Sequence, residues 1–297
     1  MKKSMYIAAF ICLSIILSAC GSKAEEAEGP LLDETFTIGV IPAQTVGAME
    51  EAMDKLQSLL SEELNRKVTV DVYPDYNGVV EALNYDKIDM AYLGPLTYII
   101  ANQKSGAKAI ITQEIDGKPY YHSYIITYED EPWESLEDLL HTPEEVDFAF
   151  GDPNSTSGSL IPTIELQKRG VFDSQEDHDF HSVRYTGSHD ATALAVQNKQ
   201  INAGAIDSAI YHQLIESGKI DKEQLKVIWK SEELFQYPWA VHKDTNEETI
   251  TRLQETFLSI EDEEILEAFG ASGFTKASKE DYRNIEEAAK QQGIINE

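Results

Sequence analysis

Short apolar runs alternate with helically spaced apolar positions along most of this chain. Phe36-Thr37-Ile38-Gly39-Val40-Ile41 reads as a first strand that ends at Pro42. Met49, Met53, Leu56, Leu59, Leu60 and Leu64 then recur at a helical spacing. Val68–Val72 predicts a second strand. Asp75-Tyr76-Asn77-Gly78 reads as a turn, with a helix starting over Val79–Leu83. Asp89–Leu93 predicts a third strand closing at Gly94-Pro95, a helix follows over Leu96–Ala101, and Ala109–Ile115 is another strand. Tyr121–Tyr128 alternates as one long strand, suited to a crossover between lobes. Beyond it lie a short helix over Ser135–Leu140 with a Ser cap and a buried strand over Val146–Phe150. A helix over Pro162–Arg169 is stopped by Gly170, and a strand follows over Val183–Thr186. Ala191–Asn198 is helical, Ile201–Ile206 a strand, Ala209–Ile215 helical, and Leu225–Lys230 a strand. Pro238–His242 reads as the returning crossover, and two acidic amphipathic helices close the chain with solvated charged faces. Strand and helix in alternation imply a doubly wound, largely parallel α/β arrangement.

The N-terminus departs from that pattern. Lys2-Lys3, an apolar run from Met5 to Leu17, and then Leu17-Ser18-Ala19-Cys20 read as a secretory signal ending in a lipobox. Residues 1–19 are expected to be removed and Cys20 to carry lipid. The apolar run is too short to span a membrane comfortably. Residues 20–33, polar and acidic, are expected to be a flexible tether. Cys12 falls in the removed segment, so the mature chain keeps one cysteine and forms no internal disulfide. Removing Lys2 and Lys3 leaves 24 − 2 = 22 basic residues against 53 acidic ones, a formal charge of −31. Such a chain lacks the basic patch of a nucleic-acid binder. Its field repels anions but is screened beyond about 8 Å at physiological salt, so an anion site needs local donors.

Phe148–Pro162, FAFGDPNSTSGSLIP, supplies such donors. A strand runs into the turn Gly151-Asp152-Pro153-Asn154, then into Ser155, Thr156 and Ser157, and then into a helix. The first N–H groups of a helix lack partners, and its dipole favours an anion there. Three adjacent hydroxyls add donors. An ordinary N-cap explains one such hydroxyl; the run of three, with Gly158 beside it to let a ligand approach, points to a tetrahedral oxyanion. No Walker lysine is present, which argues against a nucleotide. His189 follows a strand and the Gly187-Ser188 turn, on a loop at a sheet edge where open α/β sheets bind ligands. Asp207 ends another strand, where it either caps the next helix or faces the anion. Facing the anion, it would have to be protonated or accept a proton from the ligand. Tyr76 sits in the Asp75–Gly78 turn and by itself reads more readily as a packed aromatic than as a cleft residue. Tyr92 and Tyr98 read as core, and one of Tyr120, Tyr121 and Tyr124 as a cleft residue. His178-Asp179-Phe180-His181 has metal-ligand residue types within a loop-like segment, but tight sites need three or four convergent ligands. No metal and no cofactor are expected.

Asp75-Tyr76-Asn77-Gly78, Ala91-Tyr92-Leu93-Gly94-Pro95, Gly151-Asp152-Pro153-Asn154-Ser155-Thr156-Ser157-Gly158 and Gly187-Ser188-His189-Asp190 stand in this order. From about Phe36 to about Ile285, the chain resembles the substrate-binding lipoproteins of ABC importers for phosphonate, phosphite or phosphate. D-P-N-S-T-S-G is the specific part of that resemblance. It implies a two-lobed type II periplasmic-binding-protein fold, each lobe a mostly parallel sheet flanked by helices, with the ligand between them. The lobes would comprise residues 34–120 plus 240–297 and residues 121–239. It implies an extracytoplasmic binding role without covalent chemistry: capture of a small phosphorus oxyanion and delivery to a permease and its ATPase, by a monomer held to the membrane through Cys20. Ser155, Thr156 and Ser157 would form the oxyanion cradle, His189 would reach an oxygen, and Tyr76 would close from the other lobe. Relatives that take aminoalkylphosphonates carry acidic side chains where this chain has Ala209 and Tyr237, and some carry a tyrosine at Leu93. The departures favour a small ligand. Two rivals are a sensor of the same fold and a hydrolase using Ser157, His189 and Asp207, although the G-x-S-x-G elbow is absent.

Overall fold

The computed structural model describes residues 32–44 and 50–296. The signal segment, Cys20, most of the tether and the helical position Met49 lie outside the described residues. The first half of the fold is β1 (Leu32–Val40), α1 (Glu50–Leu64), β2 (Arg66–Val72), α2 (Tyr76–Asn84), β3 (Met90–Tyr92), α3 (Pro95–Ser105) and β4 (Lys108–Glu114). Next come β5 (Tyr120–Tyr121), β6 (Ser123–Tyr128), α4 (Leu136–Leu139), β7 (Asp147–Phe150), α5 (Ile161–Lys168), β8 (Phe172–Ser174), β9 (Asp177–His178) and β10 (Ser182–Tyr185). The rest is α6 (His189–Gln197), β11 (Ala203–Asp207), α7 (Ser208–Glu216), β12 (Leu225–Lys230), β13 (Leu234–Phe235), β14 (Pro238–Val241), α8 (Glu247–Leu258), α9 (Glu263–Ala268), β15 (Gly273–Lys276) and α10 (Arg283–Gln291).

These strands make two main sheets, ordered β15-β4-β14-β3-β1-β2 and β10-β7-β11-β6-β12. In the first, β1, β2, β3 and β4 point one way while β14 and β15 oppose them. In the second, β6 alone opposes its neighbours. The opposed strands β14 and β6 are the ones that arrive from the other lobe. Each starts at the C-terminal end of a parallel strand, with Trp239 opposite Tyr92 and Ser123 opposite Asp207, so each must run back through the sheet. The two crossings pair with each other: β5 and β13 form an antiparallel ribbon, Leu234 opposite Tyr121 and Phe235 opposite Tyr120. The C-terminal ends of the parallel strands thereby face one cleft, where ligands bind in open α/β folds.

Four local readings change. The expected turn at Asp75–Gly78 is the start of α2, because the Asp75 carboxylate accepts the Gly78 N–H at 2.7 Å as its N-cap. The single strand over Tyr121–Tyr128 breaks at His122, whose N–H goes to Ser208 Oγ at 2.9 Å instead of a strand neighbour. The loop-like stretch 173–179 is part of a small hairpin, with Phe172 opposite His178 and Ser174 opposite Asp177. The return to the six-stranded sheet begins at Pro238, ahead of the Ala240 boundary read from the sequence, because Pro238 and Trp239 already pair with β4. Trp239 is then fully buried, with its ring 4.9 Å from Tyr92 and Phe257 and 5.3 Å from Phe269. This aromatic core supports the cleft from one side.

Candidate anion-binding cleft

The cradle begins where β7 ends. Leu160 N–H donates to Ser155 O at 3.0 Å and Ile161 N–H bonds back to Thr156 O, so residues 156–160 form one wide π-turn that leads into α5. Such turns recur at functional sites because they re-aim side chains. Ser155 Oγ accepts the Gly158 N–H at 3.0 Å, and Thr156 Oγ1 accepts the Leu96 N–H from the other lobe at 2.8 Å. Both hydroxyls accept these bonds and keep their O–H protons to donate. The N–H groups of Thr156 and Ser157 lie in the first turn, where a helix supplies no acceptor. Ser155, Thr156 and Ser157 are all fully buried. Gly158 has a packing role that the sequence did not show. A Cβ there would lie 2.9 Å from Ser155 Oγ, 3.1 Å from His189 Cε1 and 3.2 Å from Gly151 Cα. Glycine is needed so that the turn can pack on β7, with Gly151 N–H donating to Gly158 O at 2.8 Å. Gly158→Ala is expected to destabilise the protein by about 1–3 kcal/mol through this overpacking, read by urea unfolding. An unchanged unfolding midpoint would mean that the turn yields freely.

His189 is the first residue of α6 and not a loop residue, because Ser188 caps that helix ahead of it. Its own N–H donates to Ala43 O across the cleft at 3.1 Å. The ring is fully buried. Nδ1 accepts the Asp207 N–H at 3.2 Å, which fixes a neutral imidazole with its proton on Nε2. Nε2 faces Tyr237 Oη at 3.2 Å. Burial pushes the imidazole down to about 4. Asp207 takes the first of the roles read for it, the helix cap. Oδ1 accepts the N–H groups of Ala209 and Ile210 at 2.7 and 3.1 Å as the cap of α7. Burial nevertheless drives the carboxyl up to about 7, against the lowering effect of those two N–H groups and of the Tyr237 hydroxyl beside it. A carboxyl held there is partly protonated near neutrality.

Tyr76 enters from α2 and is fully buried. Its N–H reaches the Asp152 carboxylate on the opposite lobe, and its hydroxyl lies near Ser155. Tyr121, from the crossover ribbon, brings its hydroxyl near Ser157 and Thr156. Tyr76 Oη, Tyr121 Oη and Ser157 Oγ are buried, and none completes a hydrogen bond among the described residues. Burial, followed by the negative charge of neighbouring carboxylates, holds the Tyr76 and Tyr121 phenols protonated and available as donors. The cleft thus gathers Tyr76, Ser155, Thr156, Ser157, His189 and Asp207, picks Tyr121 out of the three crossover tyrosines, and adds Tyr237. Tyr237 is fully buried, with its ring 5.5 Å from that of Tyr121. Its signal was its place beside Pro238 at a crossover. Gln44 and Gln213, which bond each other across the cleft at 2.6 Å, carry no sequence signal.

A hydrolytic triad does not form. His189 Nδ1 takes the Asp207 backbone N–H rather than its carboxylate, and His189 Nε2 faces Tyr237 rather than Ser157. His178 stacks on Phe172, ring centroids 6.2 Å apart. Among the described residues no group of three or more His, Cys, Asp or Glu side chains is placed to hold a metal, and no helix is long and apolar enough to cross a membrane.

Two lobes with paired crossovers and a buried, donor-lined cleft define a type II periplasmic binding protein. The family described as "ABC transporter, phosphonate, periplasmic substrate-binding protein" matches residues 38–282, and the chain belongs to it. The protein is an extracytoplasmic substrate-binding component of an ABC transporter and not an enzyme. It is 33% identical over 264 residues to the phosphate-import protein PhnD of Mycolicibacterium smegmatis, covering 83% of this chain and 78% of that one. It is 29% identical over 280 residues to the phosphonates-binding periplasmic protein of Escherichia coli, covering 93% and 80%. The crystal structure of a binding protein component of an ABC phosphonate transporter from Pseudomonas aeruginosa superposes with a TM-score of 0.79 at 25% identity, over 87% of this chain and 86% of that one.

Proposed function

We propose that the cleft holds a small phosphorus oxyanion, either phosphate, phosphite or a short phosphonate, for delivery to a permease and its ATPase. The observation that carries this reading is the set of three buried, unpartnered hydroxyls, Tyr76 Oη, Tyr121 Oη and Ser157 Oγ. A buried hydroxyl without a partner costs about 1–3 kcal/mol, and a tetrahedral anion offers several acceptors to one such cluster. Ser155, Thr156 and Ser157 donate from one lobe, Tyr76 from the other, and His189 gives its Nε2 proton. Asp207 accepts a hydrogen bond from the ligand, so a ligand that retains a P–OH is welcome and fully ionised sulfate is rejected. The names of the relatives, a phosphate importer and a phosphonates-binding protein, support the phosphorus oxyanion class. Ala209 and Tyr237 leave no carboxylate for a ligand amine at those positions.

The lobes, residues 34–120 with 238–297 and residues 121–237, hinge about the paired crossovers to enclose the ligand. Residues 1–19 are cleaved, and lipid on Cys20 holds a monomer at the membrane through the tether of residues 20–33. Metabolic labelling with palmitate tests the anchor: Cys20→Ser is expected to abolish it.

A thermal-shift panel on the chain from Ser22 onward tests the ligand class, because a ligand that binds only the folded state raises the melting temperature. Phosphate, phosphite or methylphosphonate is expected to give a large shift, and sulfate and 2-aminoethylphosphonate little. A flat panel would withdraw Ser155, Thr156, Ser157, Tyr76 and His189 as ligand residues.

A further inference from the structure

A cavity of about 20 Å³ lies against Asp207 and Tyr237 and is walled also by Tyr92, Gln113, Gln236 and Phe269. That is room for one heavy atom. Most of its polar wall is already paired. Tyr92 Oη donates to Gln113 Oε1 at 2.8 Å, and Gln113 Nε2 donates to Phe269 O at 3.1 Å. Gln236 is the exception. It is fully buried, and its Nε2 has no partner among the described residues. Its orientation is fixed, because Oε1 accepts the Tyr237 N–H at 3.1 Å; a flipped amide would set N–H against N–H. Its backbone is held at both ends, by N–H to Pro119 O at 2.9 Å and by Tyr282 Oη to its carbonyl at 2.8 Å. Space for one atom is therefore lined by a residue with a spare donor, Gln236, and by one with an acceptor carboxylate, Asp207.

We propose that Gln236 is a specificity-determining residue that, with Asp207, selects a hydroxyl as the fourth substituent on phosphorus. This rests on the oxyanion reading of the cleft and narrows it. A hydroxyl donates to Asp207 and accepts from Gln236. A methyl group fills the same space and leaves both unpaired, and the hydrogen of phosphite fills neither need. The preferred ligand is then inorganic phosphate, ahead of methylphosphonate and phosphite. A site built around polar partners rejects an analogue that lacks the matching group more strongly than an apolar site rejects an extra one.

Isothermal titration of the wild-type protein and of Gln236→Met with phosphate and with methylphosphonate tests this. The wild type is expected to bind phosphate at least about tenfold more tightly, and Gln236→Met to cut that ratio by about tenfold, the size of one lost hydrogen bond. A wild type that prefers methylphosphonate overturns the proposal without recourse to any variant. An unchanged ratio in a folded Gln236→Met also overturns it. Should Gln236→Met not fold, the wild-type ratio decides alone: a preference for phosphate of less than about tenfold overturns the proposal. Binding of neither ligand by the wild type would be a different failure, that of the oxyanion reading itself.

Discussion

Asp207→Asn is expected to stabilise the ligand-free protein above pH 7 by about 4 kcal/mol, the free-energy equivalent of moving a carboxyl from 3.8 to about 7. Between those values the folded chain holds a proton that the unfolded chain has released. Stability from this group therefore falls as pH rises through the window, and the full penalty stands above 7. Asparagine cannot ionise, and its side-chain oxygen still caps α7. His189 works in the opposite sense. Its imidazole lies at about 4 against an ordinary 6.5, so the unfolded chain gains a proton that the folded chain refuses, and stability is lost as pH falls from 6.5 to 4. In the wild type the two contributions oppose each other over most of that range. In Asp207→Asn only the histidine contribution remains, and stability should climb with pH between 4 and 6.5. Urea unfolding at pH 5, 6.5 and 8 reads this directly. A variant whose pH profile parallels the wild type would mean that Asp207 ionises freely in the fold.

His189→Ala removes two things at once. The anion loses the Nε2–H donor, and the Asp207 N–H loses its acceptor at Nδ1. Hydrogen bonds to charged groups are worth about 1.5–3 kcal/mol, so phosphate affinity should fall by about 100-fold. The orphaned N–H should add about 1–3 kcal/mol of destabilisation. Calorimetric titration separates the two at a temperature where the variant stays folded. Retained affinity with lowered stability would make His189 a purely structural core residue.

The cleft was legible where chemistry is local. Ser155, Thr156 and Ser157 announce themselves because three hydroxyls at a strand-to-helix turn exceed what one cap requires. His189 and Asp207 stand at strand ends, which the alternation of elements located correctly. Tyr76 could not be separated from an ordinary core tyrosine, since burial and ligand contact look alike along one chain; the structure adds that it stands opposite Ser155 across the cleft. Gln236 and the choice of Tyr121 among the crossover tyrosines were illegible for a related reason. These residues lie on the two crossovers, 116 positions apart between Tyr121 and Tyr237, and meet only because β5 pairs with β13. The direction of β14 and β6 was hidden likewise, because a strand entering from the other lobe has the same sequence pattern as one that begins at home. For Gly158 the structure adds a packing reason that the sequence did not show, the close approach of Ser155, His189 and Gly151.

The bonds that join the lobes have a consequence for transport. Leu96 N–H to Thr156 Oγ1, His189 N–H to Ala43 O, and Gln44 to Gln213, which in turn donates to Glu267 O, all persist only while the cleft is shut. At about 0.5–1.5 kcal/mol each they favour retention of cargo. Unloading at the membrane must therefore do work against them, and the permease has to supply compensating contacts to the separated lobes. Strengthening this latch would tighten capture while slowing handover, so the fastest importer is not the one whose binding protein holds its ligand most firmly.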